Sequence, residues 1–153
     1  MRRTRILVVE DDPIILDLIT TRLDLAGYDT YFARDGMEGL ARLRELRPSA
    51  MVLDINMPRL DGFGLLTKMN ADATLPRTPT MVLTARNQPD DVRKAIGLGA
   101  RDFLSKPFKD EQLLQRVGRL VRRAPARPPE EQEPDTGAEM GPASEAGPKP
   151  FLL

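Results

Sequence analysis

The chain has 153 residues, no cysteine, no histidine, and equal numbers of basic and acidic residues, 23 of each. The lack of cysteine excludes disulfides, thiolate nucleophiles and zinc-thiolate sites, and the lack of histidine excludes a Ser-His-Asp triad and the commonest general base. Carboxylate, hydroxyl and ammonium groups are left for chemistry, and carboxylate and hydroxyl oxygens suit Mg²⁺ rather than zinc or copper.

The charge is divided unevenly along the chain. Residues 125–153 contain six acids and two bases, a net charge of −4, so residues 1–124 carry +4. A charge of +4 is too weak to indicate nucleic-acid binding on electrostatic grounds, and we expect no direct contact with nucleic acid. No apolar run approaches the roughly 20 residues that a membrane span needs. We therefore expect a cytoplasmic protein without a membrane partner.

Apolar runs of strand type alternate with helical patterns along the first four fifths of the chain. The predicted strands are Ile6–Val9, Thr30–Ala33, Met51–Asp54, Thr80–Thr84 and Asp102–Ser105. Apolar residues at helical spacing mark the five helices between and after them: Ile15, Leu18, Ile19 and Leu23; Leu40 and Leu43; Phe63, Leu66 and Met69; Val92, Ala95 and Ile96; Leu113, Leu114, Val117, Leu120 and Val121. Five β–α units predict an α/β doubly wound parallel sheet, with the flavodoxin-like strand order 2-1-3-4-5.

The pattern ends near Ala124. Residues 124–153 are rich in Pro and Glu and contain half of the fourteen prolines, with almost no aliphatic periodicity. Such a segment cannot bury enough apolar surface to offset the entropy lost on ordering. We therefore predict two regions, an ordered domain at 4–123 and a disordered tail at 124–153.

Polar side chains stand at the carboxyl ends of the predicted strands. Glu10 and Asp11 follow the first strand, and Asp54 ends the third. Thr84 ends the fourth strand, and Lys106 follows the fifth. In open parallel sheets, ligands bind beyond these ends, where the strand order reverses, here between strands one and three. Clustered carboxylates repel one another unless a cation offsets them, so the set indicates Mg²⁺ and a phosphoryl group at this edge.

Each of these residues also has a simpler structural interpretation. An Asp after a strand, such as Asp54, commonly forms a turn or caps a helix. Thr84 is a good β-former, and lysines near strand ends, such as Lys106, are usually solvated. Glu10 and Asp11 are adjacent and cannot both point the same way, so one should ligate a metal directly and the other through water. The combination on four strands, rather than any single residue, favours a functional site.

This combination resembles the receiver domain of bacterial two-component response regulators. The matching stretches are Ile6–Asp12, Val52–Pro58, Asp61–Gly62, Val82–Ala85 and Phe103–Phe108. The resemblance implies a regulatory protein that is not an enzyme, beyond promoting its own aspartyl phosphorylation and dephosphorylation. It also implies a cis peptide bond before Pro107.

The resemblance assigns the acids to phosphorylation and metal binding. It implies that Asp54 is the phosphoacceptor. It further implies that Asp11 and Asp54 bind Mg²⁺ together with the backbone carbonyl of Asn56, and that Glu10 binds the ion through water.

The remaining site residues are assigned to the phosphoryl group and to a conformational switch. By the same resemblance, Thr84 and Lys106 contact the phosphoryl group, and Thr84 and Phe103 form the switch. The donor is a sensor histidine kinase or a histidine phosphotransfer protein. Phosphorylation is expected to change the surface formed by helix four, strand five and helix five.

Three interpretations of the function remain open at this point. A stand-alone receiver acts on an unknown downstream protein, and a homodimer through the surface of helix four, strand five and helix five is compatible with it. The second is the receiver part of a truncated transcription factor, although residues from Pro125 onward hold no helix-turn-helix pattern. The third is a phosphohydrolase of the haloacid dehalogenase type, which also uses a strand-end Asp but needs a second Asp where Asn56 stands.

Overall fold

The central element is a five-stranded parallel sheet. A computed structural model describes residues 3–57, 59–85 and 89–122. The strands are β1 (Arg5–Val9), β2 (Asp29–Ala33), β3 (Ala50–Asp54), β4 (Thr80–Ala85) and β5 (Asp102–Lys106). They are arranged in the order β2-β1-β3-β4-β5, and every neighbouring pair is parallel. The predicted fold class is therefore confirmed, with strand ends shifted by one residue at most.

Five helices alternate with these strands and cover both faces of the sheet. They are α1 (Pro13–Leu25), α2 (Gly36–Leu46), α3 (Gly62–Ala71), α4 (Pro89–Gly97) and α5 (Asp110–Arg122). The first three helices each begin after an aspartate whose side chain accepts a backbone N–H of the first turn: Asp12, Asp35 and Asp61. These caps satisfy amide groups that have no partner inside the helix. The first three helices therefore begin directly after the Asp in the loop that follows each strand.

The sheet separates two apolar clusters. Side chains alternate across a strand, so Ile6 and Val8 point to one face and Leu7 and Val9 to the other. On the first face they pack against α1 and α5, and on the second against α2, α3 and α4. All five residues of β3 are buried, as expected for a central strand covered on both faces.

The inward face of α1 differs from the prediction. Leu16, Ile19 and Leu23 are buried, whereas Leu18 is 38% exposed. Leu16, Ile19 and Leu23 follow one another at three and four residues and share one stripe of the helix, while Leu18 lies about 200° from Leu16 around the axis. In α4 the predicted Ile96 is likewise exposed.

One prediction concerns residues outside this description. The predicted disordered tail, 124–153, lies outside the described residues. Among the residues described, no helix is long and apolar enough to cross a bilayer.

Candidate functional site

Three charged side chains converge beyond the carboxyl ends of the strands. Lys106 Nζ lies 3.2 Å from Asp54 Oδ1 and 3.2 Å from Glu10 Oε1. Glu10 and Asp54 are almost completely buried. Lys106 is on β5 and Asp54 is on β3, so the lysine side chain crosses the end of β4. Its register partner there is Ala85, whose small side chain leaves room for the lysine stem.

Strand alternation explains why these three groups meet. Residues two apart on a strand point to the same face of the sheet. Asp54 therefore shares a face with Val52, and Lys106 with Leu104, and Val52 and Leu104 both belong to the cluster under α1 and α5. Glu10 follows Val8 at the same spacing, and its N–H continues the ladder by donating to the carbonyl of Ala33 at 3.0 Å. The three side chains therefore leave the same face of the sheet.

Asp11 completes a carboxylate cluster that fits a divalent cation. One oxygen from each of Glu10, Asp11 and Asp54 can be chosen so that all three lie within 4.8 Å of one another. Two of these residues are buried and Asp11 is exposed, so the cluster opens to solvent on one side. Within the described ranges, one ammonium group, that of Lys106, pairs with two of the three acids. An all-oxygen set with excess negative charge is the environment that a hard cation such as Mg²⁺ prefers.

Glu10 carries the clearest sign of an incomplete site. Its Oε2 accepts the N–H of Asp12 at 3.1 Å, while its buried Oε1 makes an ion pair with Lys106 but has no hydrogen bond among the described residues. Burial, followed by the nearby charge of Asp54, raises the pKa of Glu10 to about 7. A buried carboxylate with an unsatisfied oxygen is costly, and a cation or its water shell would satisfy it.

Lys106 remains a cation in this environment. Burial alone would lower the pKa of its ammonium group, but the charges of Asp54 and Glu10 outweigh that effect, so the pKa is raised. The Lys106–Pro107 peptide bond is cis, as the family resemblance implies.

Thr84 and Phe103 lie on the opposite face of the sheet from Lys106. Thr84 pairs with Ser105 and Val82 pairs with Phe103, two residues earlier on each strand, so Thr84 and Phe103 lie on the same face of the sheet. The buried Thr84 hydroxyl donates to the carbonyl of Ala85 at 2.7 Å. The Phe103 side chain is 37% exposed, with the Arg116 guanidinium 5.8 Å from its ring centre. Both predicted switch residues are thus present, with the aromatic ring pointing outward.

Tight backbone packing holds the loop that follows Asp54. The Asn56 N–H donates to Asp54 Oδ1 at 3.3 Å, and the Gly62 N–H donates to the Ile55 carbonyl at 2.9 Å. A Cβ added to Gly62 would lie 2.7 Å from the Asp54 carbonyl oxygen. Only a residue without a side chain allows α3 to begin this close to the end of β3.

A second Asp-Gly pair supports the same loop from α2. A Cβ at Gly36 would overlap the Leu60 carbonyl oxygen, to which the Gly36 N–H donates. Asp35 caps α2 and also pairs with Arg59 of the loop at 2.6 Å. Sequence reasoning did not identify this support, although two Asp-Gly dipeptides at helix starts were a readable signal.

Comparison with known families and proteins agrees with this geometry. Residues 6–118 match the response regulator receiver domain. The chain is 40% identical over 119 residues to the DNA-binding dual master transcriptional regulator RpaA of Synechocystis sp., covering 78% of this chain and 49% of RpaA. It is 38% identical over 128 residues to the DNA-binding response regulator MtrA of Mycolicibacterium smegmatis, covering 84% of this chain and 55% of MtrA. These relatives are named as regulators rather than enzymes, and the chain spans about half of their length.

Solved structures show the same fold. The chemotaxis protein CheY4 of Vibrio cholerae matches with a TM-score of 0.72 at 30% identity, covering 78% of this chain and 99% of CheY4. The receiver domain of NtrX from Brucella abortus matches with a TM-score of 0.73 at 32% identity, covering 78% of this chain and 99% of that domain.

The relatives correct one expectation. We expected no direct nucleic-acid binding, and this was wrong, because RpaA and MtrA are both described as DNA-binding. The expectation rested on the weak positive charge of residues 1–124. That charge describes a receiver region, and a receiver region accounts for only about half of each DNA-binding relative.

Proposed function

We propose that this chain, which belongs to the response regulator receiver domain family, accepts a phosphoryl group on Asp54 and thereby switches a transcriptional output. The observation that carries the proposal is the position of Asp54. Its carboxylate is buried at a strand end, 3.2 Å from an ammonium group, within a three-acid cluster. An Asp that only forms a turn or caps a helix does not need neighbouring acids and a lysine. Phosphoryl transfer needs a nucleophile, a cation site and a positively charged side chain close together.

The chemical step is a transfer between two proteins. An Asp54 carboxylate oxygen forms the new O–P bond while the N–P bond of a phosphohistidine breaks, and the histidine nitrogen keeps the electron pair. This chain has no histidine, so the donor is a sensor histidine kinase or a histidine phosphotransfer protein. The product on Asp54 is an acyl phosphate.

The chain's own residues align the acceptor and stabilise charge. Lys106 stays cationic and lies where it can contact phosphoryl oxygens once Asp54 is modified. Asp11, Asp54 and the Asn56 backbone carbonyl would hold Mg²⁺, with Glu10 joined through water. When bound, Mg²⁺ supplies positive charge that offsets the phosphoryl oxygens.

The switch uses the opposite face of the sheet. In the proposed active state, the Thr84 hydroxyl leaves the Ala85 carbonyl and donates to a phosphoryl oxygen. Phe103, which points outward here, then turns into the space behind Thr84. Phosphorylation shifts the population between these two states because the phosphoryl contacts exist in only one of them.

The output is proposed to be control of DNA binding. Support comes from relatives that match this chain and are described as DNA-binding regulators. The surface of α4, β5 and α5 is the proposed point of transmission, because it contains Phe103 and its neighbour Arg116, which donates to Asp102 at 3.0 Å and to the Phe103 carbonyl at 2.7 Å.

Incubation with radiolabelled acetyl phosphate and Mg²⁺ tests the acceptor. Wild-type protein should incorporate up to one phosphoryl group per chain, and Asp54→Asn should incorporate none, because an amide oxygen is not nucleophilic enough to form the acyl phosphate. Asp12→Asn is the matched control, since Asp12 caps α1 beside the site and Asn is an equally good cap. Equal labelling of wild type and Asp54→Asn would refute the assignment. Sustained turnover of phosphate monoesters would support the hydrolase instead.

A further inference from the structure

Two adjoining grooves open at the amino ends of β4 and β5, at the edge of the sheet opposite the carboxylate cluster. The first has a volume of about 230 Å³, and its lining includes Arg77 and Arg101. The second has a volume of about 110 Å³, and its lining includes Arg101, Asp102 and Arg119. Arg101 lines both, so the two grooves adjoin at this residue, and we call them together the basic groove.

The basic groove has an excess of positive charge. Apart from Arg101, which has a polar interaction of its own, the described part of the lining contains two arginines, Arg77 and Arg119, and one acid, Asp102. That acid already accepts a hydrogen bond from Arg116 at 3.0 Å and lies 3.8 Å from Arg119. Arg77 is exposed and forms no ion pair within the part of the chain that the structure describes. Positive charges gathered in a concave surface attract an anionic partner.

We propose that the acidic segment 130–135 of this same chain binds in the basic groove. The segment has four acids and no base among six residues: Glu130, Glu131, Glu133 and Asp135. Its charge therefore complements the arginines of the groove. The proposal does not depend on the identity of the phosphoacceptor.

The position of α5 brings the segment to the groove. Arg119 lines the groove, and α5 ends one turn later at Arg122, so the chain leaves the helix beside it. Seven residues separate Arg122 from Glu130, so the eight Cα–Cα steps between the two span up to about 27 Å when extended. Neighbouring strands are about 4.8 Å apart, so the segment can reach both β4 and β5 from α5.

Because the acidic segment is covalently attached to the domain, weak contacts are sufficient for it to bind in the basic groove. Exposed ion pairs are individually weak and are screened by salt. A short flexible connection, however, gives an effective concentration in the millimolar range. An acidic segment held this close would occupy the groove in preference to dilute polyanions of the surrounding solution.

Amide NMR spectra of the full chain provide the test. The double change Glu131→Gln and Glu133→Gln should shift the amide resonances of Arg77, Arg101 and Leu120 at low salt. The matched control is Glu139→Gln with Glu145→Gln, which removes the same charge outside the segment and should leave those resonances in place. At about 1 M salt the screening length is about 3 Å, and the difference between wild type and the first variant should disappear. Equal spectra of wild type and the first variant at low salt would overturn the proposal.

A spin label gives an independent measurement of proximity. The chain has no cysteine, so Gln132→Cys provides a single attachment point. A label there should broaden the amide resonances around the basic groove, and Arg77→Gln should reduce the broadening while Arg34→Gln should not. Addition of duplex DNA tests whether nucleic acid, rather than the acidic segment, binds in the basic groove. If DNA shifts the groove resonances equally in wild type and in the Glu131→Gln, Glu133→Gln variant, the groove is open to nucleic acid and the segment does not occupy it.

Discussion

At the scale of single residues, the carboxylate cluster is built at a cost to stability. Glu10 and Asp54 are buried side by side with one lysine between them. Like charges in a buried site are unfavourable unless a cation offsets them. The raised pKa of Glu10 is a consequence of that burial. Such a cluster is expected where function, rather than stability, decides the residue types.

Mg²⁺ should therefore stabilise the folded protein through these acids. Because the ion binds the folded state, the free energy of unfolding should rise by about 2.7 kcal/mol at a free Mg²⁺ concentration of about 100 times Kd. Asp11→Asn should lose most of this increase, since Asp11 supplies one of the three carboxylates, and Asp12→Asn should keep it. Urea denaturation with Mg²⁺ and with a chelator measures the effect. An undiminished increase in Asp11→Asn would contradict the ligand set.

A second residue-scale prediction concerns Gly62. Gly62→Ala should destabilise the protein by about 1–3 kcal/mol, because the new Cβ meets the backbone of Asp54 and Ile55 below 3 Å. Gly118→Ala is the matched control in the interior of α5. Its Cβ meets only the flexible ends of Arg122 and Tyr28, so it should stabilise by up to about 1 kcal/mol. Urea denaturation of both variants checks the contrast, which fails if Gly62→Ala is neutral.

At the scale of secondary-structure elements, aspartates connect the strand-end loops to the helices. Asp35 shows this most fully. It accepts the Glu38 N–H at 2.9 Å and pairs with Arg59 across the loop, while the Glu38 carboxylate accepts the Arg34 N–H at 2.7 Å. This reciprocal arrangement resembles a capping box, and it ties the start of α2 to the loop that carries Asn56.

The cap at Asp35 predicts a pH dependence. The Glu38 N–H, and to a smaller degree the charge of Arg59, lower the pKa of Asp35 below its ordinary value of 3.8. A carboxyl group whose pKa is lowered on folding stabilises the folded state at pH values above 3.8. This stabilisation disappears as the pH falls through the folded-state pKa. Asp35→Ala should therefore cost about 1 kcal/mol at pH 7 and almost nothing at a pH below the folded-state pKa.

Urea denaturation across this pH range checks the Asp35 prediction. Asp35→Asn is the control, because Asn keeps the cap and loses only the pair with Arg59, an exposed contact of small energy. A cost of Asp35→Ala that stayed constant from neutral to acidic pH would show that the charge of Asp35 contributes nothing.

At the scale of the whole molecule, one sheet carries both apolar clusters. The two clusters share the three central strands, β1, β3 and β4, because alternate residues of each of these strands belong to opposite faces. Neither face can separate from the other without breaking strands. The described residues should therefore unfold in one cooperative transition.

Calorimetry tests both the single cooperative transition and the predicted extent of the ordered domain. Unfolding enthalpy is about 0.7 kcal/mol per residue near 60 °C, so about 120 ordered residues predict about 84 kcal/mol, whereas 153 predict about 107 kcal/mol. We expect the lower value, with equal calorimetric and van't Hoff enthalpies. Two transitions, or the higher enthalpy, would contradict the predicted division at 124.

Much of the fold and of the candidate site was predictable because both depend on local patterns. Apolar runs and helical spacing identified all five strands and helices. Strand-end positions placed Glu10, Asp11, Asp54 and Lys106 at one edge, where the structure brings them together, while their roles and that of Thr84 stay predictions. The inward face of α1 was mispredicted, since Leu16 and Leu18 are equally apolar and only contact with the sheet distinguishes them.

The sequence by itself determined the order of elements and the residue types at the strand ends, because side-chain periodicity is a property of each segment alone. Only the tertiary structure decided which groups touch. The 3.2 Å contacts of Lys106, the Gly36–Leu60 contact and the basic groove shared through Arg101 join segments far apart in the chain. Their distances depend on strand register and helix packing, which no single stretch of sequence contains.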